Sequence, residues 1–327
     1  MNNEELKSMK SERVMELFYR AIKGESLSVK KLSEEYHVSS RSITRDINEI
    51  KTFLAEHIDT LGYADLEYSS STHTYSLKMD MFLSNKELLA ITKVLIGSRA
   101  FNHADLTEII KKLKKNTTYI DRNKLESLIS KEMFHYKEIG SDCSSVIDNI
   151  WKITDCIDNR NIITVTYIKI NREQVKRDII PVTIIFCDYY FYLIAYRNNS
   201  NKPNIPLYFR IDRIKEISIH REQFKLSKDQ IVNEGLLRQK SQFMWPGPSR
   251  KIVFEFSGPS IQAILDRIPT AKVIEHKDSI YTLEAEVYGD GIKMFLISQG
   301  SWVKVLKPSN FKQELKDEIN RMANLYR

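Results

Sequence analysis

Apolar side chains return at helical spacing three times within the first 60 residues. Val14, Leu17, Phe18, Ala21 and Ile22 form the first series, and Gly24 follows it as a C-cap glycine would. The second, Val29, Leu32 and Tyr36, has Ser28 in N-cap position; a tight connection through His37 and Val38 leads to Ser39 or Ser40 as the next cap. The third turns Ile43, Ile47, Ile50, Phe53 and Leu54 inward. The period then shortens to that of strands over Asp65 to Ser69 and His73 to Met79, with Ser70, Ser71 and Thr72 between them, so a hairpin is expected behind three helices.

Helical spacing resumes after residue 81. Ser84 and Glu87 have capping-box spacing ahead of Leu88, Leu89, Ile91, Val94, Leu95 and Ile96. Further helical stretches are expected around Leu106 to Leu113, Leu125 to Phe134 and Val146 to Ile157. Short strands follow at Ile162 to Tyr167, Arg177 to Pro181, Tyr189 to Tyr196 and Tyr208 to Ile219. Polar turns at Asn171-Arg172 and Asn198 to Asn201 separate them, a pattern that suits a small antiparallel barrel. Beyond Trp245-Pro246-Gly247-Pro248, which reads as a linker, the order is strand (Lys251 to Phe256), helix (Ser260 to Ile268), strands (Lys272 to Glu275, Tyr281 to Val287), helix (Ile292 to Ile297), strand (Val303 to Lys307) and helix (Phe311 to Tyr326). That β-α-β-β-α-β order with one added helix predicts a ferredoxin-like C-terminal domain.

Two surfaces carry candidate chemistry. On the third helix Ser39, Ser40, Arg41, Ser42, Thr44, Arg45 and Asn48 lie between the apolar positions, and Lys51 follows. Hydroxyls near a helix N-terminus bond phosphate oxygens and arginines reach base edges, which is the chemistry of major-groove docking. The same composition also suits a plain solvated face. Residues 1 to 60 hold ten Lys/Arg against eleven Asp/Glu, so any basic character is local to that face. In the predicted barrel, Arg177, Arg197, Arg210 and Arg213 are interleaved with Tyr167, Tyr190, Tyr192, Tyr196 and Tyr208. Guanidinium groups take phosphate in bidentate fashion and aromatic rings stack bases. Aromatics in strands are also ordinary core residues.

The order of these residues resembles known families. Val38-Ser39-Ser40-Arg41-Ser42-Ile43-Thr44-Arg45-Asp46-Ile47 is similar to the V-S-x-R-T-I-x-R-D-I signature of the DeoR-type winged helix-turn-helix, with Ser42 for Thr. Arg177 with Ile180-Pro181, Phe191 to Tyr196 and above all Phe209-Arg210-Ile211-Asp212-Arg213-Ile214 resemble the WYL domain, an Sm-like barrel of bacterial transcription regulators. Phe191 stands where that family's name has Trp, and Leu207 stands where many members have Arg. The last 79 residues are similar to the WCX extension that follows such domains. The resemblance implies that Arg41 and Arg45 face DNA. It also implies that the barrel senses a nucleic-acid or nucleotide-like effector, for which Tyr167, Arg177, Tyr192, Tyr196, Arg197, Arg210 and Arg213 are the candidates.

Composition narrows the picture without deciding it. The 327 residues, 42% hydrophobic with 10 Gly and 8 Pro, can bury more than one core. A net charge of +7 suits an anionic partner, yet 50 basic residues stand among 43 acidic ones. Three cysteines (Cys143, Cys156, Cys187) and seven scattered histidines have no metal-ligand spacing, and no phosphate-binding glycine loop or nucleophile elbow is present. No catalytic residue, metal or cofactor is expected, and a polar start without an apolar core segment points to the cytoplasm. The expected architecture is a multidomain α+β chain. It comprises a winged helix-turn-helix (1–80), a helical connector (81–142), a WYL domain built as an Sm-like barrel (143–225), a linker (226–248) and a ferredoxin-like domain (249–327). The expected function is a homodimeric regulator that binds a double-stranded DNA operator under control of an effector; the alternative is a non-catalytic RNA- or single-strand-binding Sm-like protein.

Overall fold

The structure is a computed structural model that describes residues 3–79, 83, 85–114, 119–198 and 206–327. The chain is mixed α+β with several antiparallel sheets, and it forms two compact units, Met1–Ile139 and Gly140–Arg327. Ser84 and most of the turn expected at Asn198 to Asn201 lie outside the described residues.

The first unit opens with α1 (Asn3–Ile22), α2 (Val29–Glu35) and α3 (Ser40–Glu56), then a short α4 (Ile58–Leu61) that the periodicity does not announce. Strands β1 (Ala64–Ser69) and β2 (Thr74–Met79) pair antiparallel behind them. His73 belongs to the turn, with φ of 54°, and does not begin the strand. Leu27 adds a bridge to Tyr75, exchanging two backbone hydrogen bonds of 2.7 and 2.9 Å, and so ties the α1–α2 connection to the hairpin. Leu17, Ala21, Leu32, Ile43, Ile47, Ile50, Leu54 and Leu66 make one core. Phe53, expected inside, is 44% exposed: it sits at the core's edge, T-shaped to Phe18 and stacked on His57 at 4.3 Å.

The most consequential contact in this core is polar. Asp46 on α3 is 1% exposed and accepts a 2.6 Å bond from Arg13 Nε on α1, itself only 14% exposed. A buried carboxylate is tolerable only when it is paired, so this bond fixes how α3 lies on α1. Three further helices, α5 (Asn85–Ser98), α6 (His103–Lys114) and α7 (Tyr119–Phe134), close on Ile96, Leu106, Ile110 and Ile129.

In the second unit α8 (Val146–Asp158), capped by Ser145, packs on a five-stranded antiparallel sheet. Its strands are β3 (Asn161–Ile168), β4 (Gln174–Cys187), β5 (Tyr190–Arg197), β6 (Leu207–Arg210) and β7 (Ile214–Gln223), in spatial order β6-β5-β4-β3-β7. The two edge strands, β6 and β7, are joined by only the three-residue 3-10 turn Ile211–Arg213. So short a link can connect opposite edges only if the sheet curls round on itself. β4 runs well beyond the expected Pro181, because the register shifts between Pro181 and Thr183 and a bulge accepts proline's missing N–H.

The segment expected as a linker is packed. It contains α9 (Glu234–Lys240), and Leu237, Gln242 and Met244 are buried. Gly291 lies so close to it that a Cβ there would stand 1.8 Å from the Gln242 carbonyl oxygen. The final sheet, β8 (Ser249–Phe256), β9 (Lys272–Lys277), β10 (Ile280–Tyr288) and β11 (Val303–Lys307), has order β11-β8-β10-β9, with α10 (Ile261–Arg267), α11 (Gly291–Ser298) and α12 (Ser309–Asn324) closing its core around Phe254 and Phe311.

Removing one partner of the Arg13–Asp46 pair strands the other. Asp46→Ala should lower the unfolding free energy of the first unit by about 3 kcal/mol, whereas Lys10→Ala, which breaks the solvent-exposed pair with Glu49, should cost about 0.5 kcal/mol or less. Urea unfolding of the two variants checks this; equal midpoints would contradict the role given to Asp46.

Candidate functional site

The polar face of α3 divides into groups that hold the helix and groups that remain open. Ser39 is the N-cap: its Oγ accepts from the Ser42 N–H at 3.1 Å and lies 2.9 Å from the Ser42 hydroxyl. The Thr44 hydroxyl donates back to the Ser40 carbonyl at 3.0 Å, and the Ser40 hydroxyl donates to Ser33 Oγ at 3.4 Å. Several hydroxyls read from the sequence as DNA contacts therefore already serve the α2–α3 pair itself. Arg41, Arg45 and Asn48 are exposed on the same face.

What sets the two arginines apart is their lack of acid partners among the described residues. Around them Lys10 pairs with Glu49 at 2.6 Å, Arg13 with Asp46, Arg20 with Glu25 and Glu35 at 2.5 and 2.7 Å, and Lys51 with Asp65 at 3.3 Å. The hydrogen bonds that Arg20 donates to both glutamates raise its pKa above the ordinary value, and Arg20 in turn lowers that of Glu25. Those cations are neutralised locally. Arg41 and Arg45 keep their charge available to an outside anion.

In the second unit the predicted arginine and tyrosine cluster proves to be three separate arrangements. Arg210 and Arg213 line one cavity of about 200 Å³ with Ser141, Asp142, Lys169 and Arg172. The loop carrying Ser141 and Asp142 is held by the 3-10 turn: the Asp142 and Cys143 N–H groups donate to the Asp212 carbonyl at 2.7 and 3.1 Å, and the Ser141 hydroxyl does so at 3.2 Å. Asp212, 4% exposed, also takes Arg210 in a bidentate pair of 3.1 and 2.6 Å, and the Arg210 guanidinium lies 3.4 Å from the centre of the Tyr190 ring. Arg172 reaches Asp142 at 2.8 Å and Lys169 reaches Glu173 at 2.8 Å, both at the surface. Half-buried Arg213 has no acid partner among the described residues. Of the four cations on the cavity wall three are already paired, with Asp212, Asp142 and Glu173, so Arg213 is the one left open to an anion.

Tyr167 supports this cavity from the inner face of the curled sheet. Its ring is T-shaped to Phe209 at 5.1 Å, its hydroxyl bonds the Arg210 backbone, and burial raises its pKa. Tyr192 lies opposite Arg210 across β5 and β6, but its ring packs into a second cluster with Ile185, Ile194, Leu237 and Met244; burial raises its pKa as well. Tyr196, on the same face of β5, is 5% exposed and likewise raised by burial. Tyr192 thus packs on the side of the sheet that meets α9, and Tyr196 is buried on the same face. Arg177 and Arg197 are exposed and do not line the cavity, Arg177 donating instead to the Lys176 carbonyl at 2.9 Å. Leu207 packs against the core of the curled sheet, and the further cations on the cavity wall are Lys169 and Arg172. The sequence marks that pair only as flanking the Asn171-Arg172 turn, where Arg172 has φ of 66°.

Among the described residues no group of three His, Cys, Asp or Glu could hold a metal ion, and no helix is long and apolar enough to cross a membrane.

Comparison with known proteins agrees with this layout. Residues 148–219 match the family model of the WYL domain. Over 338 aligned residues, 97% of this chain and 99% of the relative, the sequence is 22% identical to YobV of Bacillus subtilis (strain 168), described as an uncharacterized HTH-type transcriptional regulator. Among solved structures, proteasome accessory factor B/C (PafBC) of Arthrobacter aurescens aligns over 94% of this chain at 15% identity and a TM-score of 0.31; the chain spans about half the length of that protein, 47%. A CRISPR Cas-related protein aligns over 76% of this chain and 75% of its own, at 18% identity and a TM-score of 0.38. The curled sheet thus lies largely within the stretch that matches the WYL domain, and the chain is similar along its length to an HTH-type transcriptional regulator.

Proposed function

We propose that this chain is a DNA-binding transcriptional regulator whose WYL domain takes an anionic, nucleotide-like effector. In this reading α1 to α3 with the β1–β2 hairpin are a winged helix-turn-helix, α5 to α7 a connector, the curled sheet an Sm-like barrel, and the β11-β8-β10-β9 sheet a ferredoxin-like domain. The observation that carries it is the pair Arg41 and Arg45, left without acid partners on a helix whose neighbouring cations are paired. Regulation follows by linkage: an effector shifts DNA affinity only by the difference in its affinity for two states of the protein, typically about 1–3 kcal/mol. The protein acts by binding, without catalysis, as a homodimer on a roughly palindromic site, in the cytoplasm.

Duplexes selected by the intact chain from a random pool provide the test. Arg41→Ala and Arg45→Ala should each weaken binding about tenfold or more at fixed salt, and where the arginine meets a phosphate the salt slope should fall by about one. Unchanged affinity and slope in both variants would remove α3 as the reading helix.

For the WYL cavity the unpaired arginine is the one to test. Arg213→Ala should abolish binding of a 5′-phosphorylated oligonucleotide while leaving thermal stability close to wild type, and Arg197→Ala should bind normally. Arg210→Ala leaves Asp212 buried without its partner, so it should also destabilise the second unit, by about 3 kcal/mol. Normal binding by Arg213→Ala would place the effector elsewhere.

A further inference from the structure

Helices α6 and α7 each pack against α5, and between them opens a cavity of about 690 Å³, a size common among small-molecule sites. Its floor is apolar: Ile110 and Ile129 are 3% and 1% exposed and belong to the core of the three helices. Met133 and Phe134 continue that surface along α7, and Phe134 is left 84% exposed at one end. The Lys114–Glu126 pair, at 3.5 Å, stands at the other. From His103 to Lys114 the α6 wall runs about 16 Å at 1.5 Å per residue. Spread over that length, the volume leaves a cross-section of about 40 Å², about half that of a helix with its side chains. The space is a slot for a chain-like molecule, too narrow to take in a helix.

Charge selects the kind of chain. Lys114 is answered by Glu126, and Lys112, outside the slot, pairs with Glu108 at 3.8 Å. Lys111 lines the slot without an acid partner among the described residues. The hydroxyls nearby are spent on their own helices, Thr107 donating to the His103 carbonyl at 2.7 Å and Ser130 to that of Ser127 at 3.4 Å. One open ammonium beside an apolar floor matches a single negative charge on a hydrocarbon body. No arginine is among the described residues that line the slot, so a phosphate would meet no bidentate partner there. We propose that the α6–α7 slot binds a medium-chain aliphatic carboxylate, its head group at Lys111 and its chain over Ile110, Ile129 and Met133 toward Phe134. The slot shares no residue with the polar face of α3 or with the cavity of the second unit, so it stands or falls apart from the regulatory reading.

Calorimetric titration of the intact chain with sodium dodecanoate, below its micelle-forming concentration and without nucleic acid, tests it. One dodecanoate should bind per chain, and Lys111→Glu should weaken it at least about tenfold. That side chain is exposed, so the melting curve should not move. Lys112→Glu makes the same charge change outside the slot and should bind close to wild type. Ser130→Trp, which fills the slot from its rim, should block binding. Dodecyltrimethylammonium, with the same chain and the opposite charge, should bind at least about tenfold more weakly than dodecanoate. Failure of dodecanoate to bind, as expected where a second polypeptide segment fills the slot, would overturn the proposal. So would normal binding by Lys111→Glu or Ser130→Trp, an equal loss in Lys112→Glu, or equal affinity for the two amphiphiles.

Discussion

Asp212 is the group on which the cavity of the second unit depends. It sits in the three-residue turn that lets the sheet curl, and both its ends are used: the carboxylate clamps Arg210, while the carbonyl holds the Ser141–Cys143 loop through three hydrogen bonds. A carboxylate 4% exposed would be costly without a fixed cation. Its pairing therefore orients Arg210 over Tyr190 and brings the loop up to the cavity at once. Arg213, one residue further on, is placed by the same turn yet carries none of that pairing, and so keeps its charge for an anion.

Asp46 repeats this logic in the first unit. It takes Arg13 and thereby fixes the tilt of α3, the helix that displays Arg41 and Arg45. In each case a buried acid consumes one arginine to build the frame, and neighbouring arginines of the same short motif stay open. Motif matching treats all arginines alike. Burial and pairing separate them into frame and surface, and this division supports the functional reading better than the chain's net charge does.

Local periodicity makes much of the fold legible, and tertiary pairing accounts for most of the rest. The helices over the first 60 residues and the strand and helix order after Lys251 follow from spacing and caps, because each element's apolar stripe faces a single core. The burial of Asp46 depends on a residue 33 positions away, which no local pattern carries. β4 is legible only up to Pro181 because the bulge that accommodates proline is set by β5, and the packed segment around α9 reads as loop because its contacts are with Gly291 and the barrel. In the cavity, Arg210 and Arg213 are legible from their motif. Lys169, Arg172 and Ser141 come from turns and loops, where side-chain direction depends on backbone conformation that sequence leaves open.

Placing the tyrosines on opposite faces of the curled sheet connects the cavity to the C-terminal sheet. Tyr167 points inward to Phe209, whereas Tyr192, Ile194 and Tyr208 face outward and pack with Leu237, Met244 and Tyr288 of β10. At the head of β5, Asp188 pairs with Arg267 of α10 at 3.3 Å, and Arg267 lies over the Phe243 ring. Arg210 rests on Tyr190, two residues from Asp188. Arg210 and Tyr190 thus lie on the face of β5 and β6 that, with the turn leading into β5, is fixed to the final sheet. Interiors packed this closely do not deform continuously; they shift between discrete arrangements. Tyr192 and Tyr208 on the outer face of β5 and β6 consequently form a packed joint within the second unit, and the cavity's cations lie around the Asp212 turn.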